Sequence, residues 1–357
     1  MITLVSAGLV LGLLIFVHEL GHFLVAKRAG VGVTTFSLGF GPRLFGLKRG
    51  GTDYRISAFP LGGFVRMVGE NPDDEVPPED IPRSFSHKPL AWRAAIVVAG
   101  PVANIVFALL AYYLVLMIWG MPTLSTVVGD VVKGQPAALA GVQKGDVVRR
   151  IDGKVMRNFD DMVEAIQGSR GRPVKLTLER GGRLLEVTLK PRRTVVQDIF
   201  GEPVEVFRVG IVAGREIITQ RVGPLEAVGL AWRKTYLAGE VIILSVYKLL
   251  TRKVPLDSVG GPILIAQAAG QAARQGLAPL LSLAGLISVN LAILNLLPIP
   301  ALDGGHLFFF LVEALRRRPL SVRARERATQ VGMALLLLLM VVIFYNDIAR
   351  IVTGGSP

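Results

Sequence analysis

The stretch His18-Glu19-Leu20-Gly21-His22 lies inside an apolar run, Met1 to Ala26, whose first charged residue is Glu19. The run is long enough for a membrane-spanning helix, which needs about 20 residues. On an α-helix, residues four apart project from one face, so both imidazoles can bind one Zn²⁺ while Glu19 stands beside the water that attacks the substrate. We therefore predict a zinc site with ligands His18 and His22, and with Glu19 as general base.

The alternative is that His-Glu-x-x-His is an ordinary exposed helix face, because so short a pattern recurs by chance in soluble proteins. A membrane setting weakens this alternative. Each polar or charged residue near the centre of a membrane helix costs about 2.5–3.5 kcal/mol on insertion scales, and such residues usually have a function. Two histidines and a glutamate in one span therefore favour the metal interpretation.

The composition indicates an integral membrane protein with one soluble insert. Of the 357 residues, 51% are hydrophobic and 19% are charged, and the apolar residues are concentrated in a few long runs. Membrane topology and binding to anionic lipid explain the net charge of +13. No basic-aromatic motif accompanies this charge, so we expect membrane lipid, and not nucleic acid, as the partner. The chain has no cysteine, so a metal must be bound by histidine and carboxylate.

Three further apolar segments can span a bilayer: 94–119, 277–297, and 331–345 with its flanks. Basic residues crowd the loops that follow the first and third spans. By the positive-inside rule these loops are cytoplasmic, both termini face outward, and the two histidines lie toward the cytoplasmic end of the first helix. The first run carries the metal ligands and lacks a basic start and a cleavage site, so it is not a removable signal peptide.

A fifth apolar stretch, 228–250, is interrupted by four charged residues, Arg233, Lys234, Glu240 and Lys248. If it spanned the membrane, the segment after the next span would lie on the wrong side for His18 and His22. We therefore predict an outward, amphipathic helix on the membrane surface.

The segment Asn295 to His306 follows the third span and contains Pro298, Pro300 and Asp303. The prolines break the helix, which is tolerated at membrane depth where protein or a water-filled cavity receives the free backbone groups. Asp303 is the expected third ligand, because a catalytic zinc takes three protein groups and leaves one position for water. Two alternatives stay open: Asp303 as a helix cap or turn residue, and His306 as rival ligand or as a hydrogen-bond donor behind the ligands.

Three motifs together resemble the bacterial site-2 proteases, zinc metalloproteases of peptidase family M50, in their regulator-of-sigma-E branch. They are His18 to His22, Ala99-Gly-Pro101-Val-Ala-Asn104, and Asn295 through Pro298 to Asp303-Gly304, in the family's order. The resemblance implies zinc on His18, His22 and Asp303, with Glu19 as general base. It also implies that Asn295 lies near the zinc and helps to hold the substrate or to stabilise the transition state.

Between the first two spans, 53–67 is predicted to form two short strands around Pro60 and Gly62-Gly63. A hairpin with an open edge can add an extended peptide as another strand, and the family assigns that role to a membrane-associated β-region here. Such pairing would favour an unwound substrate with an exposed scissile bond. The alternative is a hairpin that only plugs the cytoplasmic face.

Residues 126–193 resemble a PDZ domain, because Ala-Gly-x-x-x-Gly-Asp over 140–146 is followed by Ile-x-Gly over 151–153. Regulator-of-sigma-E proteases often carry two tandem copies, and one is visible here. The functional interpretation is a groove that binds peptide ends or excludes folded outer domains; the alternative is a structural spacer.

The predicted fold is a polytopic α-helical membrane protein of about four transmembrane helices with an inserted α+β PDZ domain and a small membrane-associated β-hairpin. The predicted function is zinc-dependent cleavage of single-span membrane proteins, such as anti-sigma factors, after an upstream site-1 protease, in the bacterial inner membrane. A PDZ-bearing scaffold, or a metal or proton transporter, is the alternative. The predicted segments are 1–27 and 94–120 (first two spans), 28–93 (cytoplasmic loop), 126–193 (periplasmic PDZ), 194–276 (linker and amphipathic helix) and 277–357 (last two spans).

Overall fold

The computed structural model describes residues 2–70, 75–198, 200–255 and 260–352. The chain divides into two compact units. One consists of Met1–Val115 and Pro224–Pro357, and the other of Leu116–Gly223. The inserted unit therefore begins near the end of the second long helix, which ends at Trp119. It ends at Gly223, directly before the helix that starts at Pro224.

The described residues contain one 3-10 helix, Pro78–Arg83, and nine α-helices: α1 Ile2–Arg28, α2 Leu90–Trp119, α3 Pro136–Leu139, α4 Phe159–Gly168, α5 Pro224–Leu250, α6 Pro262–Gln275, α7 Leu277–Asn295, α8 Asp303–Arg316 and α9 Val322–Val352. Within the same residues, α1, α2, α7 and α9 are long and apolar enough to cross a membrane. The four helices predicted as spans are thereby confirmed as helices of sufficient length and apolar composition, and their crossing of the membrane stays a prediction.

The region predicted as a linker with one amphipathic helix, 194–276, has more structure than expected. Its second half contains two helices, α5 and α6, and α6 packs along α1. The sequence carries the signal for α6, because Gly261 precedes Pro262 at its start and Gly276 follows its end. The helix was not predicted because its 14 residues are too few for a span. The placement of α5 on the membrane surface stays a prediction.

Asp347 of α9 holds the start of α6. Its carboxylate accepts hydrogen bonds from the backbone N–H groups of Gly261 (3.0 Å), Ile263 (3.0 Å) and Leu264 (3.4 Å). The side chain is buried, and the free N–H groups and the dipole at a helix N-terminus stabilise such a carboxylate. This contact joins α9 to α6, and α6 in turn packs against the helix that carries His18 and His22.

The β-region is one antiparallel sheet of two bent strands, β1 Val33–Arg49 and β2 Thr52–Met67. The segment 33–38 pairs with 53–56 on one side and with 63–67 on the other. The predicted hairpin within 53–67 is therefore wrong, because its two arms are separated by 33–38. This middle segment was not predicted, since Gly39, Gly41 and Pro42 interrupt the local alternation of β1.

The inserted unit contains ten short strands: β3 Met121–Leu124, β4 Val128–Val131, β5 Val147–Ile151, β6 Lys154–Val155, β7 Val174–Arg180, β8 Arg183–Leu189, β9 Arg192–Gln197, β10 Pro203–Arg208, β11 Ile211–Ala213 and β12 Ile217–Gln220. Strands β6, β5, β7 and β8 form one sheet in that order. Their inward side chains pack with α4 in a core that includes Ile151, Met162 and Leu176.

The predicted boundaries of the inserted domain, 126 and 193, are too narrow. Strand β11 pairs with β4, and β12 pairs with β3, so the chain as far as Gln220 belongs to the same unit. Both pairings join strands far apart in sequence. Local hydrophobic alternation cannot reveal them, because it shows that a strand exists and not which strand it joins.

We expect Asp347→Ala to lower the thermal stability of the protein, because three N–H groups of α6 would lose a charged acceptor. Hydrogen bonds to charged groups contribute about 1.5–3 kcal/mol each. Thermal unfolding in detergent, followed by circular dichroism, measures the change. Ile348→Ala is the matched control, because Ile348 is the next residue of α9 and is exposed. Equal melting temperatures for the two variants would mean that the cap contributes nothing.

Candidate metal centre

Three predicted ligands meet at one point of the first unit. His18 and His22 lie one turn apart on α1, and Asp303 is the first residue of α8. Asp303 Oδ2 lies 3.1 Å from His18 Nε2 and 3.6 Å from His22 Nε2, and the two Nε2 atoms are 3.2 Å apart. In the described part of the chain, these are the three His, Cys, Asp or Glu side chains that could hold one ion. Two imidazoles and one carboxylate are a catalytic zinc donor set.

Each histidine is oriented through its other ring nitrogen. Nδ1 of His22 lies 2.8 Å from the carbonyl oxygen of Ile96, and Nδ1 of His18 lies 3.2 Å from the side chain of Asn104. Both partners are on α2. Such contacts behind a metal ligand fix the orientation of the imidazole ring. They turn both Nε2 atoms toward Asp303.

The space between the ligand atoms and α2 exists because residue 100 is glycine. A Cβ atom on Gly100 would collide with His22 Nε2 and would lie 2.8 Å from His18 Cε1. Asp303 Oδ2 faces the same place, and it is buried without a hydrogen-bond partner among the described residues. A pocket that a single methyl group would fill, bounded by three donor atoms, fits a small divalent cation.

Asp303 reaches this point through an irregular segment after α7. The helix ends at Asn295, and Pro298 and Pro300 follow. A Cβ atom on Gly304 would collide with the carbonyl oxygens of Leu296 and Leu297, so only glycine lets the start of α8 fold back onto the end of α7. The predicted helix break therefore turns the chain sharply enough to bring Asp303 to α1.

A cavity of about 980 Å³ opens at the ligand cluster. Its lining includes His18, His22, Asp303, Glu19 and Asn295, so every predicted site residue borders it. Glu19 is half-buried, and it packs beside Gly63, where a Cβ atom would lie 3.3 Å from Glu19 Cγ. The carboxylate of Glu19 and the amide of Asn295 thus border the same cavity as the three ligands, and Glu19 is not part of the three-residue cluster.

His306 also lines the cavity, but it is not part of the three-residue cluster. Its ring contacts Phe309 edge to face, with the ring centroids 6.3 Å apart. Burial lowers the pKa of His306 below its usual value. The geometry favours Asp303 over His306 as the third ligand.

Asn104 is the contact that the sequence did not reveal. The motif from Ala99 to Asn104 contributes to the family resemblance, but the sequence does not predict a role for the Asn104 side chain. The available signal was a carboxamide inside an apolar span, where polar side chains seldom occur without a partner. The sequence alone could not identify that partner as His18.

We expect Asp303→Ala to lose most of its bound zinc and its activity, because one of three protein ligands is removed. His306→Ala should keep its zinc nearly unchanged, since His306 stands outside the cluster. Elemental analysis of the purified variants measures the metal content. Full zinc occupancy in Asp303→Ala with loss in His306→Ala would assign the third position to the histidine.

The sequence places the protein among known zinc proteases. The model of peptidase family M50 matches residues 6–339. The chain is 39% identical to Atu1380 of Agrobacterium fabrum, over 96% of this chain and 95% of that protein. It is 31% identical to the zinc metalloprotease RasP of Geobacillus kaustophilus, over 98% of each chain, and 32% identical to the metalloprotease MmpA of Caulobacter vibrioides, over 98% of this chain and 96% of that one. The chain therefore belongs to peptidase family M50 and is an intramembrane zinc metalloprotease of the site-2 type.

Proposed function

We propose that His18, His22 and Asp303 bind the zinc ion, and that the protein hydrolyses peptide bonds in or near the transmembrane segment of single-span membrane proteins. The observation that carries this proposal is the convergence of the three donor atoms at one end of a large cavity. Two of the ligands belong to α1, a helix that can cross a membrane. A peptide bond cleaved here must therefore come from a membrane-embedded or membrane-adjacent segment.

Glu19 is the proposed general base. When bound, zinc supplies a Lewis acid that polarises the scissile carbonyl and lowers the pKa of water to about 7. Glu19 borders the same cavity; it accepts the proton of the attacking water and passes it to the leaving nitrogen, so that the peptide bond breaks into a carboxylate and an amine. Asn295, at the end of α7, offers an amide that can hold the substrate backbone or stabilise the transition state.

The strand segment 63–67 is the proposed substrate platform. One edge of it pairs with 33–38, and among the described residues the other edge has no strand partner. Gly63, Phe64, Val65 and Met67 line the cavity, and a Cβ atom on Gly63 would lie 3.3 Å from Glu19 Cγ. A substrate strand added at this edge would run beside the general base with its backbone unwound.

We propose the cellular setting from two observations. Basic loops after the first and third spans favour an orientation with the active site toward the cytoplasmic side and the inserted unit outside. The similarity to bacterial proteases of family M50 supports the bacterial inner membrane as the location. The proposed substrates resemble anti-sigma factors, whose outer domains are first shortened by a site-1 protease. We interpret the inserted unit, 116–223, as a PDZ domain that controls access to the site.

We expect Glu19→Gln to keep its zinc and to lose cleavage, because an amide cannot accept the proton of water while both histidine ligands remain. Zinc analysis and cleavage of a single-span peptide, with and without a chelator, separate the two effects. Glu326→Gln is the matched control, since Glu326 lines the same cavity from α9. Normal cleavage by Glu19→Gln would remove Glu19 from the mechanism.

The inserted unit should select substrates and not perform chemistry. Replacing 121–223 by a short flexible linker removes every strand from β3 to β12 and joins α2 to α5. We expect this variant to bind zinc and to cleave a short transmembrane peptide at a rate close to that of the full chain. Its preference for substrates with small over bulky outer domains should weaken, because nothing then screens them.

Mass spectrometry of the products from a matched pair of substrates measures that preference. A folded, zinc-loaded variant that cleaves nothing would make the unit part of the catalytic apparatus. Unchanged discrimination would make it a spacer.

A further inference from the structure

Asn104 is fully buried in α2, a helix apolar enough to span the membrane. Its amide nitrogen Nδ2 lies 3.2 Å from His18 Nδ1, and its amide oxygen Oδ1 is buried with no hydrogen-bond partner among the described residues. Its backbone carbonyl accepts a hydrogen bond from the Ser288 hydroxyl (2.8 Å). The polar side chain of Asn104 therefore serves one contact, which is the contact with His18.

The direction of this hydrogen bond depends on what His18 must do. A neutral imidazole carries one proton, on Nδ1 or on Nε2, and a nitrogen that binds a metal must be free of it. His18 Nε2 faces Asp303 and His22. If Nε2 binds zinc, the proton sits on Nδ1, and Nδ1 needs an acceptor.

His22 shows the same arrangement with an unambiguous partner. Its Nδ1 faces the carbonyl oxygen of Ile96, which can only accept, so a neutral His22 carries its proton on Nδ1 and leaves Nε2 free. Asn104 stands in the equivalent position behind His18. With Nδ2 toward the ring, the amide donates to Nδ1, and a neutral His18 carries its proton on Nε2. The two ends of an amide have nearly the same shape, so a half-turn of the amide would bring the unpartnered Oδ1 to Nδ1 and free Nε2 for the metal.

We propose that Asn104 is a positioning residue: with its amide turned by half a turn, its side-chain oxygen accepts the Nδ1 proton of His18 and holds His18 in the tautomer that binds zinc through Nε2. The proposal rests on the proposed ligand set. It differs from a merely structural role, in which a buried amide joins two membrane helices as a donor or as an acceptor alike.

Two variants distinguish Asn104 as an acceptor for His18 from Asn104 as a donor. In Asn104→Asp both side-chain oxygens can accept, so zinc should bind at least as tightly as in the parent protein. In Asn104→Leu the side chain has a similar size and cannot accept, and zinc affinity should fall by about 10- to 100-fold, the usual effect of losing a hydrogen bond behind a metal ligand. Competition with a chromophoric chelator measures the dissociation constant of zinc in the full-length protein.

Ser288→Ala is the matched control. It removes the hydroxyl that contacts the backbone of Asn104 and leaves the amide in place, so zinc affinity should stay close to that of the parent protein. Equal loss of affinity in Asn104→Asp and Asn104→Leu would overturn the proposal, and so would parent-like affinity in Asn104→Leu. If Asn104→Leu does not fold, Asn104→Asp still distinguishes the two roles. If Asn104 acted as a donor to His18, Asn104→Asp should bind zinc more weakly than the parent protein.

His18→Ala tests the ligand set itself. If His18→Ala keeps zinc at parental affinity, His18 is not a ligand and the proposed function fails with it. If His18→Ala loses zinc while both Asn104 variants bind it as the parent protein does, only the positioning role fails.

Discussion

The close approach of α1 and α2 is the constraint on which the metal centre depends. It requires glycine on both helices: a Cβ atom on Gly21 would collide with the carbonyl oxygen of Ala99, and one on Gly100 would collide with His22. Small residues let membrane helices pack backbone to backbone. Because the backbones touch, a carbonyl oxygen and a carboxamide of α2 reach the rear of the two imidazoles. The orientation of the ligands is thus a consequence of helix packing.

The third ligand depends on a second close backbone contact. Gly332 of α9 lies against the segment that leads into α8, and a Cβ atom there would collide with the carbonyl oxygen of Pro300. Irregular backbone at membrane depth is tolerated where protein covers it, and α9 provides that cover. The fourth span therefore supports the turn that delivers Asp303, although in the described residues it contributes no side chain to the three-residue cluster.

The sequence predicted what local patterns determine. The spacing of His18 and His22 is fixed by one helix, and the four spans follow from long apolar runs, so the metal hypothesis and the spans needed no knowledge of the tertiary structure. The partners across long stretches of chain were missed: segment 33–38 inside the sheet, and strands β11 and β12 in the inserted unit. Hydrophobic alternation indicates a strand but not its neighbour, and an asparagine in a span indicates a partner but not which one.

Polarity within apolar helices does not by itself distinguish a site from a structural contact. Asp347 is more deeply buried than the three ligands, yet three backbone N–H groups at the start of α6 satisfy it. Arg93 and Glu313 likewise satisfy each other and join α2 to α8, and Arg325 of α9 also pairs with Glu313. At the metal centre the outer ring nitrogens have partners, while the two Nε2 atoms and Asp303 Oδ2 converge on one another at a cavity. Polar atoms that converge on a cavity, on side chains whose orientation is fixed by other hydrogen bonds, indicate a binding or catalytic site. Polar atoms that satisfy one another indicate a structural contact.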